Sequence, residues 1–184
     1  YGLAAASADA RDLEDQPLPT GRLREPHEAA RAADAVLVGD GEPRRVAEAL
    51  GVSVAFALAR HEQAIVSLNE TSHGYHGEPL LAVAGIARPA RFFDDVRARG
   101  LNVVDTRAFA DHHAFDAGDL RDLARHVQRV GAAAIVMTEK DAARLPAKGI
   151  PGVPVLVAPI RVTIEPDAEF GAWLMQRLAA SRVR

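Results

Sequence analysis

Apolar positions along this chain fall in short runs between glycine, proline and charged residues, and the spacing of the runs changes as the chain proceeds. Asp34-Ala-Val-Leu-Val-Gly39 is a continuous apolar stretch closed by glycine and predicts a buried strand. Glu42 to Leu50 has its apolar residues at helical spacing. Ahead of these, Tyr1 to Thr20 is rich in Ala, Asp and Pro without a sustained period and predicts an irregular lead-in, and the HEAARAA segment after Pro26 predicts a short helix. Val52 to Leu58 and Ala64 to Leu68 are apolar runs joined by the polar His61-Glu62-Gln63, a pattern that predicts a β-ribbon. His73 to Pro79 predicts a loop.

From Leu80 onward the order is regular. Strands are predicted over Leu80 to Gly85, Leu101 to Val104, Ala133 to Met137 and Val153 to Val162. Helices are predicted over Pro89 to Arg99, Asp116 to Val130, Glu139 to Leu145 and Phe170 to Ala180. Strands alternating with helices of this length imply an α/β fold with a mostly parallel sheet and flanking helices. The chain divides on this reading into residues 1–20, 21–51, 52–79 and 80–184. In an open parallel sheet, ligands sit beyond the carboxyl ends of the strands. Three loops occupy that edge: Ala84 to Pro89, the loop with Asp111 to Phe115, and Thr138 to Asp141.

With 184 residues, 48% hydrophobic and 26% charged, the chain has the material for one compact domain or two small ones. Its formal charge of -3 gives no general electrostatic reason to bind nucleic acid. The absence of cysteine excludes disulfides and thiolate metal sites and favours a cytoplasmic setting. No apolar run approaches the roughly 20 residues of a membrane span, and the first residues lack the basic start and apolar core of a signal peptide. A chain that begins with tyrosine reads as a processed or truncated product.

Asp111, His112 and His113 stand side by side between aromatic residues. A metal site needs at least three converging donors, and adjacent side chains on an extended loop point apart, so the tripeptide supplies about two. A histidine with a carboxylate in reach suits proton transfer. The bland alternative is a histidine-rich loop capping the next helix, with Asp116 as its N-cap. Thr138-Glu-Lys-Asp141 opens a helix after a strand, and Thr138 with Asp141 has the form of a capping box; Lys140 there also suits an anion. Neither GxxxxGK[ST] nor GxGxxG occurs, so Gly85 marks a tight turn rather than a phosphate loop. His73 and His76 sit in a glycine-rich loop without a third donor.

Five segments in order carry a resemblance: Leu18-Pro-Thr-Gly-Arg-Leu-Arg-Glu-Pro26, Arg31-Ala-Ala-Asp-Ala-Val-Leu-Val38, Ala82-Val-Ala-Gly-Ile-Ala-Arg-Pro-Ala-Arg-Phe-Phe93, Phe109-Ala-Asp-His-His113 and Met137-Thr-Glu-Lys-Asp141. Together they closely resemble the tetraacyldisaccharide 4'-kinases, from about Leu18 to the C-terminal helix. The resemblance implies the C-terminal part of a phosphate-loop-type kinase: residues 21–51 end the kinase core, 52–79 form the linker, and 80–184 form a lid domain. It implies ATP and Mg2+ as cofactors and a lipid disaccharide 1-phosphate as substrate, phosphorylated at its 4'-hydroxyl at the cytoplasmic face of a membrane. His112 matches the family histidine that pairs with an aspartate of the other half of the enzyme, with Asp111 beside it. His113 is the weaker candidate. Arg24, Glu25, Thr138, Glu139, Lys140 and Asp141 match residues near substrate or nucleotide, and no metal ligand is assigned.

The family's phosphate loop and acidic motifs lie N-terminal to the matched segments and do not occur in these 184 residues. The resemblance therefore implies an incomplete chain that is inactive alone and needs an N-terminal kinase half as partner. The rivals are an Asp-His-His metal-dependent phosphoesterase and a non-catalytic binding remnant.

Overall fold

The computed structural model describes residues 5–21, 23–68 and 75–182. The chain forms two compact units, one of residues 1–61 with 161–184 and one of residues 62–160.

The first unit is built on four strands in the order β1-β2-β3-β9, namely β1 (Ala5–Asp9), β2 (Ala35–Asp40), β3 (Ala55–Glu62) and β9 (Ile160–Glu165). β1 and β3 both run parallel to β2. α1 (Pro43–Leu50) starts where the Glu42 side chain accepts from the N–H groups of Arg44 and Arg45, with Pro43 at its first position. It stops at Gly51, whose φ of 70° suits a residue without a Cβ. Its apolar face, Val46, Ala47 and Leu50, packs on Val36 and Val38 of β2. α5 (Asp167–Arg182) contributes Phe170 and Trp173, whose rings lie 5.1 and 5.5 Å from that of Phe56.

The second unit has five strands in the order β4-β8-β7-β5-β6: β4 (Val66–Ser67), β5 (Leu80–Ala84), β6 (Val103–Ala108), β7 (Ala134–Met137) and β8 (Val155–Val157). All pairs are parallel except β4 with β8. α2 (Pro89–Ala98) and α3 (Ala117–Val130) cover opposite faces, and the alternation of side chains along β5 shows how. Leu80, Ala82 and Ala84 join Phe92, Phe93 and Val96 of α2 in one core layer. Leu81 and Val83 join Leu120, Leu123 and Val127 of α3 in the other. Because β5 is buried on both faces it reads as an unbroken apolar run, as central parallel strands do. Asp116 caps α3 through a bond from the Asp119 N–H at 2.8 Å, and a capping box with Asp119 completes the start.

The α/β class and the parallel sheet with flanking helices hold, while several local expectations change. The lead-in carries β1 and a 3-10 turn over Ala10–Glu14; an alanine-rich strand lacks the β-branched signal that would have marked it. The two segments expected to pair as a ribbon belong to different sheets, β3 beside β2 and β4 beside β8. Apolar period identifies a strand but not its partner. The strand expected over Val153 to Val162 is interrupted after Val157, giving β8 in one sheet and β9 in the other. For that reason residues 161–184 cluster with the first unit. α4 (Glu139–Ala142) is one turn long, and the segment after Pro26 is a 3-10 turn, His27–Ala32. His73 lies outside the described residues.

Leu123 is 2% exposed and sits in the middle of the α3 layer. Leu123→Ala should lower the unfolding free energy by about 2–5 kcal/mol, measured by urea denaturation; a loss under about 1 kcal/mol would mean that the α3 layer does not hold the second unit together.

Candidate functional site

Parallel strands end on the same edge, so the turns after β5, β6 and β7 meet there. Asp141, fully buried with 0% exposure, is where they join. Its Oδ2 accepts from the Gly85 N–H at 3.0 Å and from the Thr138 hydroxyl at 2.7 Å, and its Oδ1 accepts from Arg144 Nη1 at 3.2 Å. The Asp141 N–H returns a bond to Thr138 Oγ1 at 3.1 Å. The capping box expected of Thr138 and Asp141 is therefore present in part, with the Asp141 carboxylate turned toward β5 and Thr138 rather than free for a ligand. Gly85 makes this closeness possible: a Cβ there would lie 3.1 Å from Asp141 Oδ1 and 3.3 Å from the Ala110 carbonyl.

The loop after β6 folds over this base. His112 donates its backbone N–H to the Gly85 carbonyl at 3.2 Å and has φ of 62°, the left-handed region that non-glycine residues seldom occupy. Its side chain is 72% exposed. Three charged groups surround the ring: Arg144 Nη2 lies 3.1 Å from Nδ1, Lys140 Nζ 3.4 Å from Nε2, and Asp111 Oδ2 3.7 Å from Nε2. Lys140 also donates to Asp111 Oδ1 at 3.3 Å. Desolvation works to raise the Asp111 pKa, but the Lys140 hydrogen bond and the nearby His112 and Lys140 charges outweigh it and hold the carboxyl below its ordinary value.

His113 points elsewhere. Its Nε2 bonds Asp119 Oδ2 at 2.7 Å, and its ring stacks on Phe109 at 4.6 Å and meets Phe115 edge-on at 5.3 Å. It anchors the start of α3, which is the helix-capping role that the sequence left open for this loop. The tripeptide thus offers Asp111 and His112 to one side and His113 to another. Among the described residues no three His, Asp or Glu side chains gather as a metal ligand set.

The structure brings together Asp111, His112, Thr138, Lys140 and Asp141, with Glu139 exposed on the same turn. Arg24 and Glu25 lie in the first unit, both exposed, on the wall of a cleft of about 500 Å³ that Leu13, His27, Ala30 and Leu50 also line. The Nε2 of His27 is buried without a hydrogen-bond partner among the described residues. Sequence reasoning missed Arg144. Its signal was an Asp-x-x-Arg pair, three residues apart and so on one helical face.

A family profile described as tetraacyldisaccharide-1-P 4'-kinase matches residues 6–179. The tetraacyldisaccharide 4'-kinase of Methylobacterium sp. (strain 4-46) is 37% identical over 164 residues, which is 89% of this chain and 47% of that protein. The one from Methylobacterium nodulans is 50% identical over 105 residues, 56% of this chain and 29% of that protein. Among solved structures, the "apo" form of LpxK from Aquifex aeolicus in complex with ATP aligns with a TM-score of 0.61 at 18% identity, over 94% of this chain and 51% of that one, and so shares its fold. The chain spans about half the length of the curated relatives it matches.

Two outcomes check this geometry. Gly85→Ala should cost about 1–3 kcal/mol, because both the Asp141 carboxylate and the Ala110 backbone are fixed; full stability in a thermal melt would show that the turn has room. The Asp119 pKa is held below its ordinary 3.8 first by the backbone N–H of Asp116 and then by His113. Folding favours the ionised form, so its stabilisation is complete above about pH 4 and is lost as the pH falls through the lowered value. Asp119→Asn should flatten the acid limb of a stability-versus-pH curve, whereas a curve parallel to wild type would remove Asp119 from that limb.

Proposed function

This chain belongs to the tetraacyldisaccharide 4'-kinase family, and we propose that it supplies the C-terminal α/β part of such an enzyme. The whole protein would transfer the γ-phosphoryl group of ATP to the 4'-hydroxyl of a tetraacylated disaccharide 1-phosphate. The observation that carries the assignment of a role is the placement of His112: exposed, in a left-handed backbone conformation, and held by Arg144, Lys140 and Asp111 at the carboxyl edge of a parallel sheet. A non-glycine residue in the left-handed region, exposed and ringed by charged neighbours, is characteristic of a functional loop.

The fit to ATP and Mg2+ is poor for these residues alone. No phosphate-loop pattern occurs in the sequence, and no acidic cluster converges among the described residues. When bound, nucleotide and metal would supply the transferred group and neutralise its charge, gripped by segments in the half of the relatives that this chain does not span. What this chain contributes is orientation: His112 presents its ring to a carboxylate brought by that half, beside the 4'-hydroxyl of the substrate. Lys140 and Glu139 stand at the rim where substrate or nucleotide approaches, and Thr138 and Asp141 hold the base beneath them. Arg24 and Glu25, on the cleft of the first unit, are kept as residues near substrate or nucleotide on the strength of the family resemblance alone.

With a lipid acceptor and ATP as donor, the reaction would lie at the cytoplasmic face of a membrane, with peripheral contact. No helix among the described residues is long and apolar enough to cross one. A metal-dependent phosphoesterase reading is disfavoured by His113, which is committed to Asp119.

The test is transfer of labelled phosphate from ATP to tetraacyldisaccharide 1-phosphate by the chain alone and by the chain mixed with the N-terminal half of a relative. Activity is expected only in the mixture. His112→Ala in the active mixture should lower turnover roughly 10²-fold, the scale of general acid–base assistance. An effect well under tenfold would remove His112 from the chemistry.

A further inference from the structure

Neutral imidazole has one nitrogen that donates and one that accepts, and which is which decides what a histidine can do. At His112 the choice is made by a neighbour that can only donate. Arg144 carries a guanidinium that stays protonated in proteins, and its Nη2 lies 3.1 Å from His112 Nδ1. Lys140 Nζ, also a donor, is farther from Nε2, at 3.4 Å, and has Asp111 as acceptor. Since one neutral ring accepts at one nitrogen, the shorter contact takes it. Nδ1 accepts from Arg144 and the proton resides on Nε2.

Arg144 is itself fixed. Nη1 donates to the buried Asp141 carboxylate at 3.2 Å and to the Gly85 carbonyl at 3.3 Å. Gly85 also receives the His112 backbone N–H on that carbonyl and gives its own N–H to Asp141. The planar fork thus links the buried carboxylate, the turn after β5 and the imidazole, and a lysine could not span all three.

We propose that Arg144 is a positioning residue that sets His112 as the Nε2–H tautomer, so that the exposed nitrogen presents a proton to an acceptor instead of taking one from a hydroxyl. The role in phosphoryl transfer rests on the function proposed above; the tautomer does not. In that role His112 orients and polarises a carboxylate, and the carboxylate receives the hydroxyl proton.

The first experiment needs only this chain. Ring 15N signals of His112, recognised by their disappearance in His112→Gln, are recorded at about pH 8, above the ordinary histidine range. The expected result is a protonated Nε2 and an unprotonated Nδ1 in the wild-type chain, and a shift toward a mixture in Arg144→Met. A protonated Nδ1 in the wild type overturns the proposal without any variant, which covers the case in which Arg144→Met fails to fold. An unchanged tautomer in a folded Arg144→Met overturns it as well. In the active mixture with an N-terminal half, Arg144→Met should lower kcat roughly 10- to 100-fold, the scale of a misplaced catalytic group, while KM for the lipid stays within about twofold. The predicted tautomer together with no phosphate transfer in any mixture would leave Arg144 in place and count against the kinase reading.

Discussion

A carboxylate without solvent contact, that of Asp141, lies between the ends of two parallel strands and holds the surrounding turns in place. Burying an ion costs several kcal/mol unless its oxygens are matched by donors, and here one donor is Gly85, remote in sequence, while Thr138 and Arg144 flank Asp141 three residues to either side. Each has to be in position for the others to be tolerated. That mutual requirement is stronger than helix propensity, since α4 is too short to be stable by itself. The turn after β7 is ordered because the charge beneath it must be satisfied.

Adjacent histidines with opposite tasks follow from one backbone angle. The left-handed conformation at His112 reverses the local path, so its ring stays in solvent while the next ring drops between Phe109 and Phe115. His113 then ties the loop to α3 through Asp119, and α3 is tied to β5 through Leu120 and Leu123. The reactive-looking residue is thereby supported by an apolar core layer that it does not touch. Asp105 and His126 make a second such pair at 2.8 Å, pinning the other edge of α3 to β6.

What could be read in the sequence was what local chemistry decides. β5 was legible because a strand covered on both faces is apolar at every position, and α3 because Asp116 marks its start and its apolar residues recur at helical spacing. The place of the Asp-His-His loop followed from the parallel order of strands alone. Pairing was not legible: the run Val52 to Leu58 looks the same whether it joins its sequence neighbour or β2, and only long-range packing decides. β1 was invisible because alanine signals no preference for a strand. At the site, Asp111 and His112 stood out by residue type, but Arg144 did not, because two of its three contacts, to Gly85 and His112, are remote in sequence. The positive φ of His112 left no clear mark in the sequence, where a glycine would have.

The second unit begins and ends in one place. The Gln63 N–H donates to the Pro159 carbonyl at 3.1 Å, so the strand that leads in and the segment that leads out are hydrogen-bonded neighbours. Between them lies a sheet with a core on each face, and among the described residues both cores are built from within 62–160. A segment whose two ends meet can be inserted into, or excised from, a host fold without pulling the host's own ends apart. Residues 62–160 therefore have the architecture of a cassette, one that a lineage could acquire, lose or exchange as a piece while the strands on either side of the seam remain joined.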